Sequence, residues 1–322
     1  MLAGDWQIVS GDASFRRYFR LRDGSQHWIA VDAPPEKENA RLFVALSTAL
    51  REHGLPTPRV HAADFAAGFL LLEDFGDNLL LAQLTAANAD QFYGKALALL
   101  AQWQAIARLP VTLPRYEPAR LQTEMELFPS WLLETHLRRP FDADEQAQYQ
   151  QLMRLLLANA EAQPVVLCHR DFHSRNLMWQ TDAAGQDGRL AIIDFQDSVW
   201  GPVTYDLVSL LRDCYIEWPA ARVQDWALQY RDRYVGGGGV AVDDVTWLRW
   251  FDWMGLQRHL KVLGIFARLA HRDGKHGYLK DLPLTLRYCI TVAERYDELQ
   301  GFAVWLRDHV ANRLAADGTV LP

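Results

Sequence analysis

Residues 168–179 read "CHRDFHSRNLMW" and stand between two apolar stretches, "PVVL" before them and "LAII" within the later "RLAIIDFQD". The cluster holds a cysteine, two histidines, an aspartate, two arginines and an asparagine. A core rejects such a group, because polar atoms buried without partners are costly. The chain can carry it only as a loop where a buried strand ends, with a second strand returning behind it. A strand–loop–strand hairpin in the middle of the sequence is therefore the fixed point around which the rest must fold.

What precedes the hairpin reads as strands with one helix. "WQIVSGDASFRRYFRLR" gives two strands around a turn at Gly11–Ser14, and "HWIAVDAPP" a third, stopped by Pro34 and Pro35. In "EKENARLFVALSTALREHG", Leu42, Phe43, Leu46 and Leu50 recur at helical spacing, and Gly54 stands where a helix ends. "RVHAAD" and "GFLLLEDF" form a further strand pair. From there the pattern is helical. Asn88 with Gln91 and Asp142 with Glu145 have the spacing of capping boxes. "PARLQTEMELFPSWLLETHL" reads as a helix broken at Pro129, and helical periodicity returns over 203–217, 222–235, 243–272 and 283–312. "GGGG" at 236–239 is a loop between helices. The expected division is a β-rich lobe over 1–75 and a helical lobe over 76–322, which carries the loop at 168–179 and a strand end at 190–197.

Composition narrows the partners. Of 322 residues, half are hydrophobic, enough for more than one ordinary domain. A net charge of −7 disfavours a nucleic-acid or anionic-membrane surface. The three cysteines, Cys168, Cys214 and Cys289, lie far apart and suggest neither a disulfide framework nor a zinc knuckle. The N-terminal residues lack the pattern of a signal peptide. No stretch reaches the ~18 apolar residues that span a bilayer. A cytoplasmic protein with a small-molecule substrate and no obligate protein partner is expected.

His169-Arg170-Asp171, four further residues and Asn176 make H-R-D-x-x-x-x-N, the catalytic-loop pattern of kinase-like enzymes. Asp194 follows at the end of an apolar strand. Phosphoryl transfer accounts for each residue type. The transferred group carries negative charge, and Mg²⁺ with oxygen ligands neutralises it. Asn176 and Asp194 are the expected metal ligands, and Asp171 the group that aims and deprotonates an acceptor hydroxyl. The three are expected to converge on one spot.

These stretches resemble the aminoglycoside phosphotransferase and choline kinase family. Its usual pattern is His-Gly-Asp-x-His-x-x-Asn, then Ile-Asp-Phe/Trp-Glu/Asp, then Gly-x-x-x-x-Asp-Leu. His169, Asp171, His173 and Asn176 match the first element, Asp194 the second, and Gly201, Asp206 and Leu207 the third. The resemblance implies an α+β, bilobal protein-kinase-like fold, ATP as cofactor, and a bracing role for Asp206. "SGDASFRRYFRL", "DAPPEKEN" and "QRHLKVLGIFARL" further resemble a bacterial branch of anomeric kinases. Those enzymes phosphorylate N-acetylmuramate and N-acetylglucosamine at C1 in peptidoglycan recycling, so the likeness implies the same reaction.

The pattern also departs. The third strand, "WIAVDAPP", has no lysine for the nucleotide phosphates, Asp32 stands near its expected place, and only Gly11 remains of a glycine-rich turn. Ser10, Gly11 and Ser14 with their backbone N–H groups could hold phosphate oxygens, and Arg16, Arg17 or Lys37 could supply the charge. Adenine is expected beside Glu73 to Phe75. For the acceptor, Arg175, Asp197, Trp200 and Asp213 are candidates, with Arg258, His259 and Lys261 on one helix. Leu256, Leu260, Leu263 and Phe266 form that helix's buried stripe, and a solvated basic face is the plainer reading of the cations. Arg170 replaces the family's glycine. A metal-dependent hydrolase built on His169, Asp171 and His173 is a rival, though the remaining histidines are scattered singly. A non-catalytic nucleotide-binding scaffold is a second, and an aminoglycoside, choline or homoserine acceptor a third.

Overall fold

The computed structural model describes residues 5–10, 15–24, 26–181 and 188–316. They form two compact units, one of residues 1–113 with 174–198, the other of 114–173 with 199–322. Among the described residues no helix is long and apolar enough to cross a membrane.

The first unit is built on an antiparallel sheet. Strands β1 (Asp5–Ser10), β2 (Arg17–Asp23), β3 (Gln26–Asp32), β4 (Val60–Asp64) and β5 (Phe69–Glu73) lie in the order β1-β2-β3-β5-β4. The register pairs Arg17 with Asp32, and their side chains form an ion pair. That cross-strand partner explains the acid in the third strand. Helix α1 (Ala40–Glu52) is capped by Asn39, which accepts from the Leu42 N–H, and buries Phe43, Leu46 and Leu50 as their spacing predicts. Gly54 follows it at φ +81°, a conformation that excludes most side chains.

Helices α2 (Leu80–Gln83) and α3 (Ala89–Gln104) come next. The capping box expected at Asn88 does not form. Asn88 turns its side chain back, accepting from the Thr85 N–H at 2.7 Å and donating to the Gln83 carbonyl at 2.8 Å. A hairpin in this unit pairs β7 (Leu177–Thr181) with β8 (Gly188–Ile192), Leu177 opposite Ile192, so the strand that returns from the 168–179 loop pairs with the one after it and not, as expected, with the strand that enters the loop. Met178 and Ala191 pack with Phe75.

The second unit holds a two-stranded ladder of β6 (Val165–Cys168) and β9 (Val199–Pro202), with helices around it. Helix α4 (Pro118–Met125) leads into a widened π-helical run over Phe128–His136, so the break expected at Pro129 is a change of winding. Helix α5 (Ala143–Glu161) starts from the expected box. Asp142 accepts from the Glu145 N–H, and Glu145 reaches back to Asp142. Losing such a cap costs about 1 kcal/mol. Helices α6 (Tyr205–Leu211), α7 (Ala220–Gly236), α8 (Asp244–Asp273), α9 (Leu282–Ala293), α10 (Gln300–Leu306) and α11 (Asn312–Ala316) follow. The single helix expected over 283–312 is interrupted. Tyr296 is extended there, with its hydroxyl donating to Asp252 at 2.9 Å.

Helix α8 is the spine of the second unit, and every residue from Phe251 to Gly264 is buried. Asp243 caps its start, and Gly274, at φ +68°, closes it. It packs on α4, α5, α6, α7, α9 and the π-helical run. At Gly264 the approach is tight. A Cβ there would stand 2.3 Å from the Leu127 carbonyl carbon, inside any tolerated contact.

Candidate functional site

The loop leaving β6 is pinned from below. Asp206, fully buried on α6, accepts from the N–H of His169 at 2.6 Å and from that of Arg170 at 2.9 Å, one to each oxygen. Burial pushes its carboxyl up to about 7, against these two bonds and the charge of Arg258. Arg170 bends the chain at φ +78°. This is why a glycine suits the position, and an arginine here must be held by its side chain. Its guanidinium donates to Glu124 at 2.7 Å and lies over the Tyr116 ring.

The bend presents Asp171. Its side chain is 40% exposed, so a ligand can reach it. Arg258 donates to Oδ1 at 3.3 Å, to the Arg170 carbonyl at 2.7 Å and approaches the Tyr205 hydroxyl at 3.2 Å. Burial would raise the Asp171 carboxyl, but the charges of Arg258, Lys261, His173 and Arg170 outweigh it and hold the group well below the usual carboxylate range. Asp171 is ionised at any ordinary pH.

Behind this carboxylate lies a buried charge network. Glu124 on α4 pairs with Arg170, with Lys261 at 3.3 Å, and accepts from the Tyr116 hydroxyl. Burial raises the Glu124 carboxyl and the two cations more than offset it, leaving it lowered. Lys261 also donates to the Tyr205 hydroxyl at 3.1 Å. Arg258 and Lys261 do project near one another, as expected, but into the interior, each 4% exposed. Neither lies on a solvated basic face. His259 is a core residue. It has no exposed surface, its Nε2 meets the Arg212 carbonyl at 3.0 Å, its ring stacks on Tyr288, and burial drives it down to about 3. A side chain so enclosed offers nothing to a substrate.

Asn176 and Asp194 belong to the first unit, where the β7–β8 hairpin brings them together. The Asn176 amide donates to Asp194 Oδ2 at 3.4 Å, and Gln196 donates to Oδ1 at 2.7 Å. Asp194 is exposed, on a bend at φ +63°. Phe195 anchors that bend by stacking on Phe43 at 5.0 Å. A carboxylate and an amide side by side are a hard-oxygen pair, the donor chemistry Mg²⁺ takes when phosphates complete its shell. No cluster of three or more metal-binding side chains occurs among the described residues, and the hydrolase reading lacks the set it needs.

The remaining candidates scatter. Gly11 and Ser14 lie outside the described residues, as does the side chain of Ser10. Arg17 is 69% exposed in its pair with Asp32. Lys37 lies over Phe15 at 5.3 Å, and Arg16 is buried against Glu38 at 2.7 Å. Glu73 accepts from Arg51 at 3.2 Å and from the Arg59 N–H at 3.0 Å, and Phe75 is buried beside the hairpin. Arg175 and Asp197 are exposed and Trp200 half-buried. Asp213 is buried and accepts from the Tyr215 N–H at 3.0 Å. Glu124 and Tyr116 carry no signal in the sequence. Nothing near them in the chain marks them, since their partners are at 170, 205 and 261.

Comparison with known proteins shows the family and the fold. The profile of the "phosphotransferase enzyme family" matches residues 5–250. The chain is 43% identical over 300 residues to a protein of Pseudomonas putida named N-acetylmuramate/N-acetylglucosamine kinase, covering 92% of this chain and 86% of that one. A protein of Pseudomonas aeruginosa with the same name is 41% identical, covering 90% and 84%. In fold, the chain is similar to a choline kinase of Streptococcus pneumoniae (TM-score 0.62, 14% identity, 90% and 94% covered) and to an ethanolamine kinase of Plasmodium vivax (TM-score 0.63, 13% identity, 91% and 82% covered).

Proposed function

The chain belongs to the phosphotransferase enzyme family, and from that premise we propose that it transfers the γ-phosphoryl group of ATP to the anomeric C1 hydroxyl of N-acetylmuramate and N-acetylglucosamine, in the recycling of cell-wall sugars. The observation that carries the choice of acceptor is the 43% identity, over nearly the whole chain, to a kinase named for these two sugars. The geometry around Asp171 supports the chemistry.

Asp171 accepts a hydrogen bond from the acceptor hydroxyl and turns its oxygen toward the phosphorus. A carboxylate held this far below its usual range is a weak base. In a loose transition state the acceptor's proton leaves late, so orientation is the larger part of the residue's work. Asn176 and Asp194 would hold Mg²⁺, which when bound neutralises charge on the phosphate oxygens. Asp206 keeps the loop in place through its two backbone bonds. Arg175, Asp197 and Trp200 keep exposed surface for acceptor contacts, and the backbone from Glu73 to Phe75 is assigned to adenine.

Phosphorus NMR of the protein with ATP, Mg²⁺ and each sugar tests the reading. A new phosphomonoester resonance coupled to an anomeric proton is expected. Unchanged ATP with both sugars, or a product bearing phosphate on another hydroxyl, would refute it.

A further inference from the structure

Helix α8 carries two cations, Arg258 and Lys261, whose spacing alone would suggest substrate contacts. Both are buried, and their partners are other residues of the second unit. Lys261 answers Glu124, as does Arg170. Arg258 is different. Its Nη1 donates to the carbonyl of Arg170, the residue at the bend, and its Nη2 donates to the carboxylate of Asp171, the next residue. The Tyr205 hydroxyl, bonded also to Tyr116 and Lys261, stands against the same guanidinium. A single planar fork thus spans the main chain and the side chain of the presented aspartate, and a guanidinium is the one side chain with donors arranged to do both.

Burying a cation without a task is costly, and its mutual attraction with a carboxylate offsets that only with good geometry and further hydrogen bonds. Arg258 has both. The other charged groups facing Asp171 are Lys261 on α8, Arg170 and His173 on its own loop, and Asp206 on α6. Arg170 and Lys261 both form their ion pairs with Glu124, whereas the ion pair of Arg258 is with Asp171.

We propose that Arg258 is a positioning residue of the phosphoryl-transfer step: it holds the Asp171 carboxylate through Oδ1, so that the acceptor hydroxyl meets a carboxylate already oriented. The proposal rests on the kinase reading above and assigns Arg258 no contact with the sugar.

The test is the pH dependence of kcat for the full chain with ATP, Mg²⁺ and N-acetylglucosamine, compared with Arg258→Gln and Arg258→Lys. In Arg258→Gln, kcat falls about 10- to 100-fold, the range for losing a hydrogen bond to a charged group. The acid limb of the profile moves up by about one to three pH units, because the carboxylate has lost its opposite charge. The sugar KM changes less than about threefold, and Arg258→Lys recovers part of kcat and of the acid limb. A rise in sugar KM with an unmoved acid limb would make Arg258 a substrate contact and overturn the proposal, as would an unchanged kcat. Should Arg258→Gln not fold, Tyr205→Phe removes one hydroxyl and keeps the packing. It loosens the guanidinium without removing its charge, so kcat is expected to fall several-fold with the sugar KM and the acid limb little changed, and an unchanged kcat overturns the proposal. A parent enzyme that phosphorylates neither sugar sinks the kinase reading itself, whereas an active parent with an indifferent Arg258 sinks only this inference.

Discussion

Asp206 makes the stability of the second unit depend on pH in an unusual direction. Its carboxyl ionises near 3.8 in an unfolded chain and near 7 in the folded one. Between these values the folded state keeps a proton that the unfolded state has released, so raising the pH favours unfolding. The stability lent by the protonated carboxyl is complete below pH 3.8 and is lost as pH rises through 7. A tenfold change in proton affinity corresponds to about 1.4 kcal/mol, so the whole effect is about 4 kcal/mol. Roughly 3 kcal/mol of it falls between about pH 4.5 and 7.5. Asp206→Asn removes the titration. The amide can still accept from one of the two N–H groups, but its own N–H₂ faces the other, at a cost of about 1–3 kcal/mol for each buried donor left unmet. Urea unfolding of both proteins at about pH 4.5, 6 and 7.5, followed by tryptophan fluorescence, reads the difference. The variant is the less stable at about pH 4.5, and the gap narrows by about 3 kcal/mol by about pH 7.5. A gap constant across the three pH values would mean that the two backbone N–H bonds outweigh burial and that Asp206 is ionised throughout.

Other substitutions probe the remaining parts. Asp171→Asn should retain the circular dichroism of the parent and lose at least ~10² in kcat, and near-full turnover would remove Asp171 from the reaction. Asp194→Asn should weaken binding of the magnesium–nucleotide complex in calorimetry, and an unaltered magnesium dependence would contradict its role as a ligand. Arg170→Gly relieves a positive φ worth about 1 kcal/mol but abandons a buried pair with Glu124, which Lys261 only partly replaces. A net loss of about 1–3 kcal/mol in thermal unfolding is expected, and a variant more stable than the parent would show that the bend outweighs the pair.

The features legible in the sequence were those whose cause is local. The Asp142–Glu145 box, the stripe of Phe43, Leu46 and Leu50, and Gly54 after α1 all depend on neighbours within a few residues. The loop at 168–179 was legible for the same reason, because an apolar strand cannot continue through it. Burial of α8 was not. Arg258, His259 and Lys261 alternate with leucines as they would on a half-exposed helix, and only the surrounding helices enclose the polar side. Glu124 was invisible because its partner Arg170 is 46 residues away in the chain and Lys261 is farther still. Asn88 misled in the other direction, since its turn with Thr85 competes with the cap its spacing suggests.

Gly264 has a reach beyond its own size. With no side chain, it lets α8 settle directly on the backbone at Leu127. Lys261 lies one helical turn from this contact and Arg258 nearly two, while Glu124 sits one turn before Leu127 on the opposing chain. The missing Cβ is thus a gauge for the distance between the cations and the carboxylates they serve. A single methyl at 264 would wedge α8 away from the backbone at Leu127. Residue 264 carries no functional group, yet it sets how closely the segment bearing Glu124 and the helix bearing Lys261 approach.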